Sequence, residues 1–333
     1  MREGRIIGGL LKTLSGIETQ EIWINRDLSM RAAFGCGDDD ALYNWLVRTR
    51  IRPITANEAI QRLLGRRVSG FDNNKPIDLD GAEKLLTDLQ KAGLLQEVKE
   101  SAAGLAQRLI AHWQGIVSHL STNSALLLDF ACAGNIQRSI QTVFNANGIS
   151  TPVIGLNFVT TTGSIWAKRS GCVMQGCLAE DGEPAWMAQA YARTPELIEI
   201  FAAALEGPLL DYTNAGAPIL GSCFLNSAQV QSMHEAQQVI LKSAAIYRDE
   251  MKDYLSADLG RCVWGRLLLE PLASEIEVIA NWPLDVGLDG SVQRTLAPCL
   301  SNNLKSWTKL ETAWPSGSQV RTGLSDAAPN KFA

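Results

Sequence analysis

The sequence predicts an α/β protein with a mostly parallel, open sheet and a helical C-terminal part. The main observation is an apolar run at 125–130, an amphipathic segment at 136–147 and a second apolar run at 152–158. This order is typical of a βαβ unit, whose crossover helix joins two parallel strands. Because both runs are almost entirely apolar, we expect the strands to be covered on both faces. The expected sheet is Rossmann-like, with a phosphoribosyltransferase-like sheet as the alternative.

Helix start and stop signals place the remaining helices. Thr55 followed by Glu58 has the pattern of a capping box, and Gly65 ends that segment. Asp80 followed by Glu83 repeats the pattern. The clearest helix is predicted over 97–120, where one apolar stripe recurs at spacings of three and four residues: Val98, Ala102, Leu105, Leu109, Trp113, Ile116 and Leu120.

Three further apolar runs, 21–25, 169–174 and 218–220, are predicted to be strands. A long amphipathic segment over about 234–255 predicts a helix beyond the sheet. Beyond residue 300 the apolar pattern weakens and the chain becomes polar. We therefore expect an α/β domain, a helical C-terminal part packed on it, and a loose tail, over residues 1–230, 231–300 and 301–333 respectively.

Composition limits the partners and the compartment. The chain has 35 acidic and 30 basic residues and a net charge of −5, which argues against a nucleic-acid surface. We expect no membrane span, because the sequence contains no apolar run near the ~20 residues that a spanning helix needs. An odd number of cysteines, seven in all, without an export signal indicates reduced thiols and a cytoplasmic protein.

Polar residues at predicted strand ends suggest a binding site for an anionic sugar. Ligands of open parallel sheets bind beyond the carboxyl ends of the strands, near helix N-termini. The run at 21–25 ends with Asn25 and is followed by Arg26, which could pair with a phosphate or carboxylate. The run at 125–130 includes Asp129, which could accept a bond from a hydroxyl or simply cap the turn.

The segment after Asp129 supports the same site. Small residues at 131–134 end in Gly134, and Asn135 precedes a helix that opens with Ile136 and Gln137. Free N–H groups and the dipole at the start of a helix favour an anion. We find no metal site, because His112 and His119 have no evident third ligand, and no cofactor motif is evident.

Several ordered motifs resemble a known family. They are Arg2–Glu3–Gly4, Asn25–Arg26, the segment 129–137 (DFACAGNIQ), the segment 271–275 (PLASE) and the segment 281–284 (NWPL). In this order they resemble the C-terminal region of the haloacid-dehalogenase-like (HAD) proteins of bacterial surface-polysaccharide gene clusters. The resemblance extends over roughly residues 1–300. It implies that the matching residues Arg2, Glu3, Asn25, Arg26, Asp129, Gly134, Asn135 and Gln137 form a binding site.

The resemblance implies an accessory or binding role in surface-polysaccharide biosynthesis. The ligand would be a phosphorylated or nucleotide-linked sugar, and a glycosyltransferase or HAD protein would be the partner. Asn25, Ala131 and Cys132 depart from the family's pattern, so the ligand could differ. HAD catalysis is not expected, because the nearest acidic string, Asp78–Leu79–Asp80, follows no buried strand.

Two alternatives stay open at this point. An acidic strand end leading into a small-residue loop also fits a phosphoribosyltransferase-like enzyme, although the second acid and the Thr-Gly-Gly-Thr type of loop are missing. The chain begins at the Arg-Glu-Gly element, so it could be a truncated remnant of a HAD-family hydrolase. In that case the run at 21–25 would form an open sheet edge and favour self-association.

Overall fold

The computed structural model describes residues 4–47, 54–71, 76–117, 124–130, 133–251, 254, 256–285, 293–299 and 312–323. The α/β class is confirmed. The helices are α1 (Gly4–Ser15), α2 (Arg26–Gly35), α3 (Asp39–Val47), α4 (Ala56–Leu64), α5 (Leu79–Lys91), α6 (Leu95–Val117), α7 (Asn135–Ala146), α8 (Ile165–Arg169), α9 (Ala185–Arg193), α10 (Pro195–Ala202), α11 (Ser227–Glu250), α12 (Ala257–Leu269), α13 (Ala273–Ile279) and α14 (Pro315–Thr322). The strands are β1 (Ala125–Asp129), β2 (Val153–Val159), β3 (Val173–Ala179), β4 (Leu209–Tyr212), β5 (Pro218–Leu220), β6 (Pro283–Asp285) and β7 (Gln293–Thr295).

The centre of the fold is a parallel sheet with strand order β1-β2-β3. The predicted βαβ unit is confirmed, with α7 as the crossover between β1 and β2. In the register, Asp129 of β1 lies beside Asn157 of β2, which lies beside Gly176 of β3. The pairs β4–β5 and β6–β7 are separate antiparallel hairpins. The described sheet is therefore parallel but small.

The predicted strand at 21–25 is wrong, because these residues form an extended segment outside any sheet. Their backbone groups bond to side chains instead of to a strand. The N–H of Trp23 donates to Nε2 of His112 at 3.1 Å, and its carbonyl accepts from the hydroxyl of Tyr212 at 2.7 Å. Asn25 then caps α2, so Arg26 is the first residue of a helix and does not follow a strand.

The helices α2 to α6 enclose an apolar core of their own. It includes Phe34, Leu42, Trp45 and Ile60, all nearly inaccessible to solvent. The capping box of Thr55 at the start of α4 is confirmed. At α5 the predicted cap is displaced, because Asp78, and not Asp80, accepts a hydrogen bond from the N–H of Gly81.

The C-terminal region differs from the expected loose tail over 312–323. Trp314 is fully buried, and its indole N–H donates to the carbonyl of Leu268 at 3.3 Å. It packs in one cluster with Ile276 of α13 and precedes α14. A buried tryptophan this far along the chain anchors the segment that the polar composition suggested was mobile. None of the helices in the described residues is long and apolar enough to cross a membrane.

Candidate functional site

Three chain segments meet where the parallel strands end. Strand β1 ends at Asp129, β2 is followed by the loop Thr160–Ser164, and β3 is followed by Glu180 and Asp181. We call these segments, together with the first turn of α7, the carboxyl edge of the sheet. Small side chains bring the loops close, since a Cβ atom on Gly163 would lie 3.6 Å from that of Ala133.

The first turn of α7 offers backbone donors at this edge. Gly134 precedes it with φ at 69° and supplies no side-chain cap to the helix. The backbone N–H of Arg138 already bonds to Gly134 within the helix, at 2.9 Å. The N–H groups of residues 135–137 precede the intrahelical ladder and point away from it, which is the arrangement that binds anions. A glycine suits this position because its φ is positive, a backbone conformation that residues with a side chain rarely adopt.

Gln137 is buried between α7 and the sheet. Its Nε2 donates to the carbonyls of Val153 and Val173, at 2.7 and 2.8 Å, and these two acceptors fix the orientation of the amide. Its Oε1 fills the space that Gly155 leaves by having no side chain. A Cβ atom added to Gly155 would lie only 2.1 Å from this oxygen. That oxygen is buried and has no hydrogen-bond partner.

Asn157 is a candidate site residue that the sequence analysis did not identify. Its side chain is 2% exposed, and Nδ2 has no hydrogen-bond partner. Side chains alternate along a strand, so Asn157 shares a face of β2 with Gly155, toward α7 and Gln137. The signal was an asparagine inside the apolar run VIGLNFV, because strand interiors are depleted in asparagine.

The loops after β2 and β3 are joined through Asp181. Its N–H donates to Oγ1 of Thr160 at 2.8 Å, and its carboxylate accepts from Ser164 at 3.0 Å and from Lys168 at 2.7 Å. The hydrogen bond from Lys168 holds the pKa of Asp181 below its usual value, and the bond from Ser164 adds to the effect. The loop Thr160–Ser164 is therefore fixed in place by a charged group.

The other predicted site residues lie elsewhere or have structural roles. Asn25 accepts from the N–H of Leu28 at 2.8 Å and donates to the carbonyl of Leu209 at 2.9 Å, so its amide holds α2 against β4. Arg26 opens α2. Arg2 and Glu3 lie outside the described residues.

The structure thus brings some of the predicted residues together at the carboxyl edge. Asp129, Gly134, Asn135 and Gln137 lie in or next to β1 and the first turn of α7. The hydrogen bonds of Asn25 lead instead to α2 and β4. The expectation placed Asn25 at this edge through a strand that does not form.

Two other features are less suited to a ligand. A groove of about 620 Å³ runs along α6, but Gln107 and Asn147 in its wall bond to each other at 2.7 Å. His112 is buried, and its two ring nitrogens bond to Trp23 and Gly216. Burial holds the pKa of His112 below its ordinary value. Among the described residues no group of three His, Cys, Asp or Glu side chains could hold a metal ion.

Comparison with family models and with curated proteins gives no match to this chain.

Proposed function

We propose that the chain is an accessory binding protein of surface-polysaccharide biosynthesis, which binds a phosphorylated or nucleotide-linked sugar at the carboxyl edge. The observation behind this proposal is the first turn of α7, which lacks a side-chain cap and follows the acidic end of β1. In this proposal the phosphate accepts hydrogen bonds from the N–H groups of residues 135–137. Asp129 accepts a bond from a sugar hydroxyl.

The arrangement of the sheet supports this placement of the ligand. In open parallel sheets, ligands bind outside the carboxyl ends of the strands. We propose that the sheet is Rossmann-like in this sense, although only three paired parallel strands are described. The proposed partner is the glycosyltransferase or HAD protein that uses the same sugar, as the family resemblance implies.

Calorimetry with glucose 1-phosphate, other hexose 1-phosphates, inorganic phosphate and the free sugars tests the proposal. We expect binding of at least one sugar phosphate, and no binding of the same sugar without its phosphate. Equal binding of the phosphorylated and free sugars, or no binding of any probe, would contradict the proposal.

A charge placed at the first turn of α7 tests the location. Asn135→Asp keeps the side-chain size, and a negative charge near a helix N-terminus stabilises the helix. The same charge repels a phosphate bound there, so we expect weaker binding from a more stable protein. The matched control is Asn145→Asp in the last turn of the same helix, which should leave binding unchanged. Equal effects of the two variants would place the anion elsewhere.

A phosphoribosyltransferase-like enzyme is the second candidate. The observation that favours it is the hydroxyl-rich loop Thr160–Ser164, which follows a parallel strand and lies beside the acidic end of β1. Such loops can hold a sugar phosphate through hydroxyl and backbone donors. The test is pyrophosphate release from phosphoribosyl diphosphate in the presence of nucleobases. Release that is lost in Ser164→Ala would support the enzyme, and no release would exclude it for these substrates.

A further inference from the structure

We propose that Asn157 and Gln137 together bind one hydroxyl group of the sugar, beneath the first turn of α7. This inference rests on the proposed function and adds what the site recognises. The phosphate marks the ligand as an anion, whereas these two amides would select for the sugar attached to it. Nothing in the family resemblance pointed to Asn157.

The unpartnered polar atoms of the structure single out this pair. Two fully buried side chains among the described residues have an unpartnered nitrogen or oxygen: Asn157, through Nδ2, and Gln137, through Oε1. Other unpartnered atoms of the described residues lie on half-buried side chains: Glu21, Arg31, Asn57 and Glu206. Buried polar groups in native proteins are nearly always bonded, so two such atoms on one face of one sheet need a common explanation.

The two atoms are placed to reach a single ligand atom. Gln137 Oε1 lies where the side chain of Gly155 would be. Asn157 is two residues further along the same face, a separation of about 6.6 Å at the usual rise per residue. An oxygen bonded to both amides spans about 5.6 Å, two bonds of about 2.8 Å each, so it requires the Asn157 amide to lean about 1 Å toward Gly155.

The chemistry of the two atoms is complementary. Asn157 Nδ2 is a donor and Gln137 Oε1 is an acceptor, so their common partner must accept one hydrogen bond and donate another. A hydroxyl does both, whereas a phosphate oxygen or a carbonyl only accepts. The pair therefore fits a sugar hydroxyl and disfavours a bare anion.

The position of Gln137 links this hydroxyl site to the anion site. Its backbone lies in the first turn of α7, and its side chain reaches down to the sheet between Val153 and Val173. The proposed phosphate site at the helix start and the proposed hydroxyl site at the Gln137 side chain therefore adjoin the same turn. Sugar phosphates carry both groups a few bonds apart.

The experiment compares Asn157→Leu and Asn157→Asp with the parent protein, using glucose, galactose, mannose and N-acetylglucosamine 1-phosphates and inorganic phosphate. Each variant removes the donor while keeping the side-chain size. We expect the preferred sugar phosphate to bind about tenfold or more weakly, because the ligand hydroxyl loses its donor. Binding of inorganic phosphate should change less than about twofold, since its donors are backbone groups.

The control is Gln237→Leu, which replaces a buried amide whose Nε2 donates to Ala203 and which lies in α11. It should leave both affinities unchanged. If Asn157→Leu and Asn157→Asp bind sugar phosphates as the parent does, the two amides hold a water molecule and the inference is wrong, while the proposed function survives. If the parent binds none of the probes, the proposed function and this inference both fail.

Discussion

Two buried polar regions of this protein differ in how completely their hydrogen bonds are made. Around His112, every ring nitrogen has a partner, and the neighbouring Trp23 bonds through both its N–H and its carbonyl. At the carboxyl edge, Asn157 and Gln137 each have a buried atom without a partner. In the first region, Trp23 and His112 are 89 residues apart in sequence, and the hydrogen bond between them joins the extended segment to α6.

We interpret this difference as one between a structural role and the proposed binding role. A buried polar group without a partner costs about 1–3 kcal/mol, so a protein keeps one only where another requirement is met. The region around His112 meets the requirement of holding segments together. The unpartnered atoms of Asn157 and Gln137 lower the stability of the folded chain, which is the pattern expected if a ligand completes the proposed site.

The largest expected effect is on the helix that holds His112. Trp113 is buried beside it and packs edge-on against Phe144 of α7, with 4.9 Å between ring centroids. We expect Trp113→Ala to lower the free energy of unfolding by about 3–5 kcal/mol, measured by urea denaturation. Stability within about 1 kcal/mol of the parent would show that this region is not part of the core.

The next effect concerns His112 itself. His112→Leu keeps much of the volume but leaves the N–H of Trp23 and the carbonyl of Gly216 without their partner. We expect a loss of about 1–3 kcal/mol for each buried group that stays unbonded. Binding of sugar phosphates should be unchanged, because His112 lies outside the carboxyl edge. A loss of binding in a folded His112→Leu protein would remove the distinction between the two regions.

The pH dependence of stability follows from the same histidine. Burial lowers the pKa of His112 in the folded state below its unfolded value of about 6.5. The unfolded state therefore binds more protons between the two pKa values, so the folded state loses stability as the pH falls from about 6.5 toward the folded pKa, and the loss is complete below the folded pKa. We expect unfolding free energies measured from pH 7 to pH 5 to fall more steeply for the parent than for His112→Leu. Identical slopes would contradict the assignment of a neutral, bonded imidazole.

The smallest expected effect is the change in stability when a buried amide is replaced by leucine. We expect this change to differ between an amide with an unpartnered atom and an amide that is hydrogen-bonded. Asn157→Leu replaces an amide whose buried Nδ2 has no partner with an apolar group, so we expect stability to be unchanged or to rise by up to about 1 kcal/mol. Gln237→Leu removes an amide that bonds to Ala203 at 2.8 Å, and we expect a loss of about 1–3 kcal/mol. Thermal melts of both variants sharpen the comparison. A large loss in Asn157→Leu would mean that its amide is structural.

Local patterns in the sequence were enough to predict the centre of the fold. Helix caps and apolar periodicity depend on residues a few positions apart, which is why the βαβ unit and the cap at Thr55 are confirmed. The segment at 21–25 has the composition of a strand. Its partners, His112 and Tyr212, lie 89 and 189 residues away and are side chains, which no local pattern reveals.

The residues of the candidate site also differ in how far the sequence alone could identify them. Gly134 and Gln137 were predicted because a small-residue loop before a helix is visible in the sequence. Asn157 was visible only as an unusual residue in an apolar strand. That its amide is buried and lacks a partner depends on Gly155, Gln137 and the register of β1 and β3, which only the folded chain defines.

The most direct test of the central claim is nuclear magnetic resonance of the side-chain amides in protein labelled with ¹⁵N-asparagine. The signal that is missing from Asn157→Leu identifies Asn157. On titration with the sugar phosphate that binds most tightly, we predict that this signal shifts and saturates with the calorimetric affinity. The signals of Asn145 and Asn226, at the end of α7 and at the start of α11, should stay in place. A saturated complex in which the Asn157 signal has not moved would contradict the account.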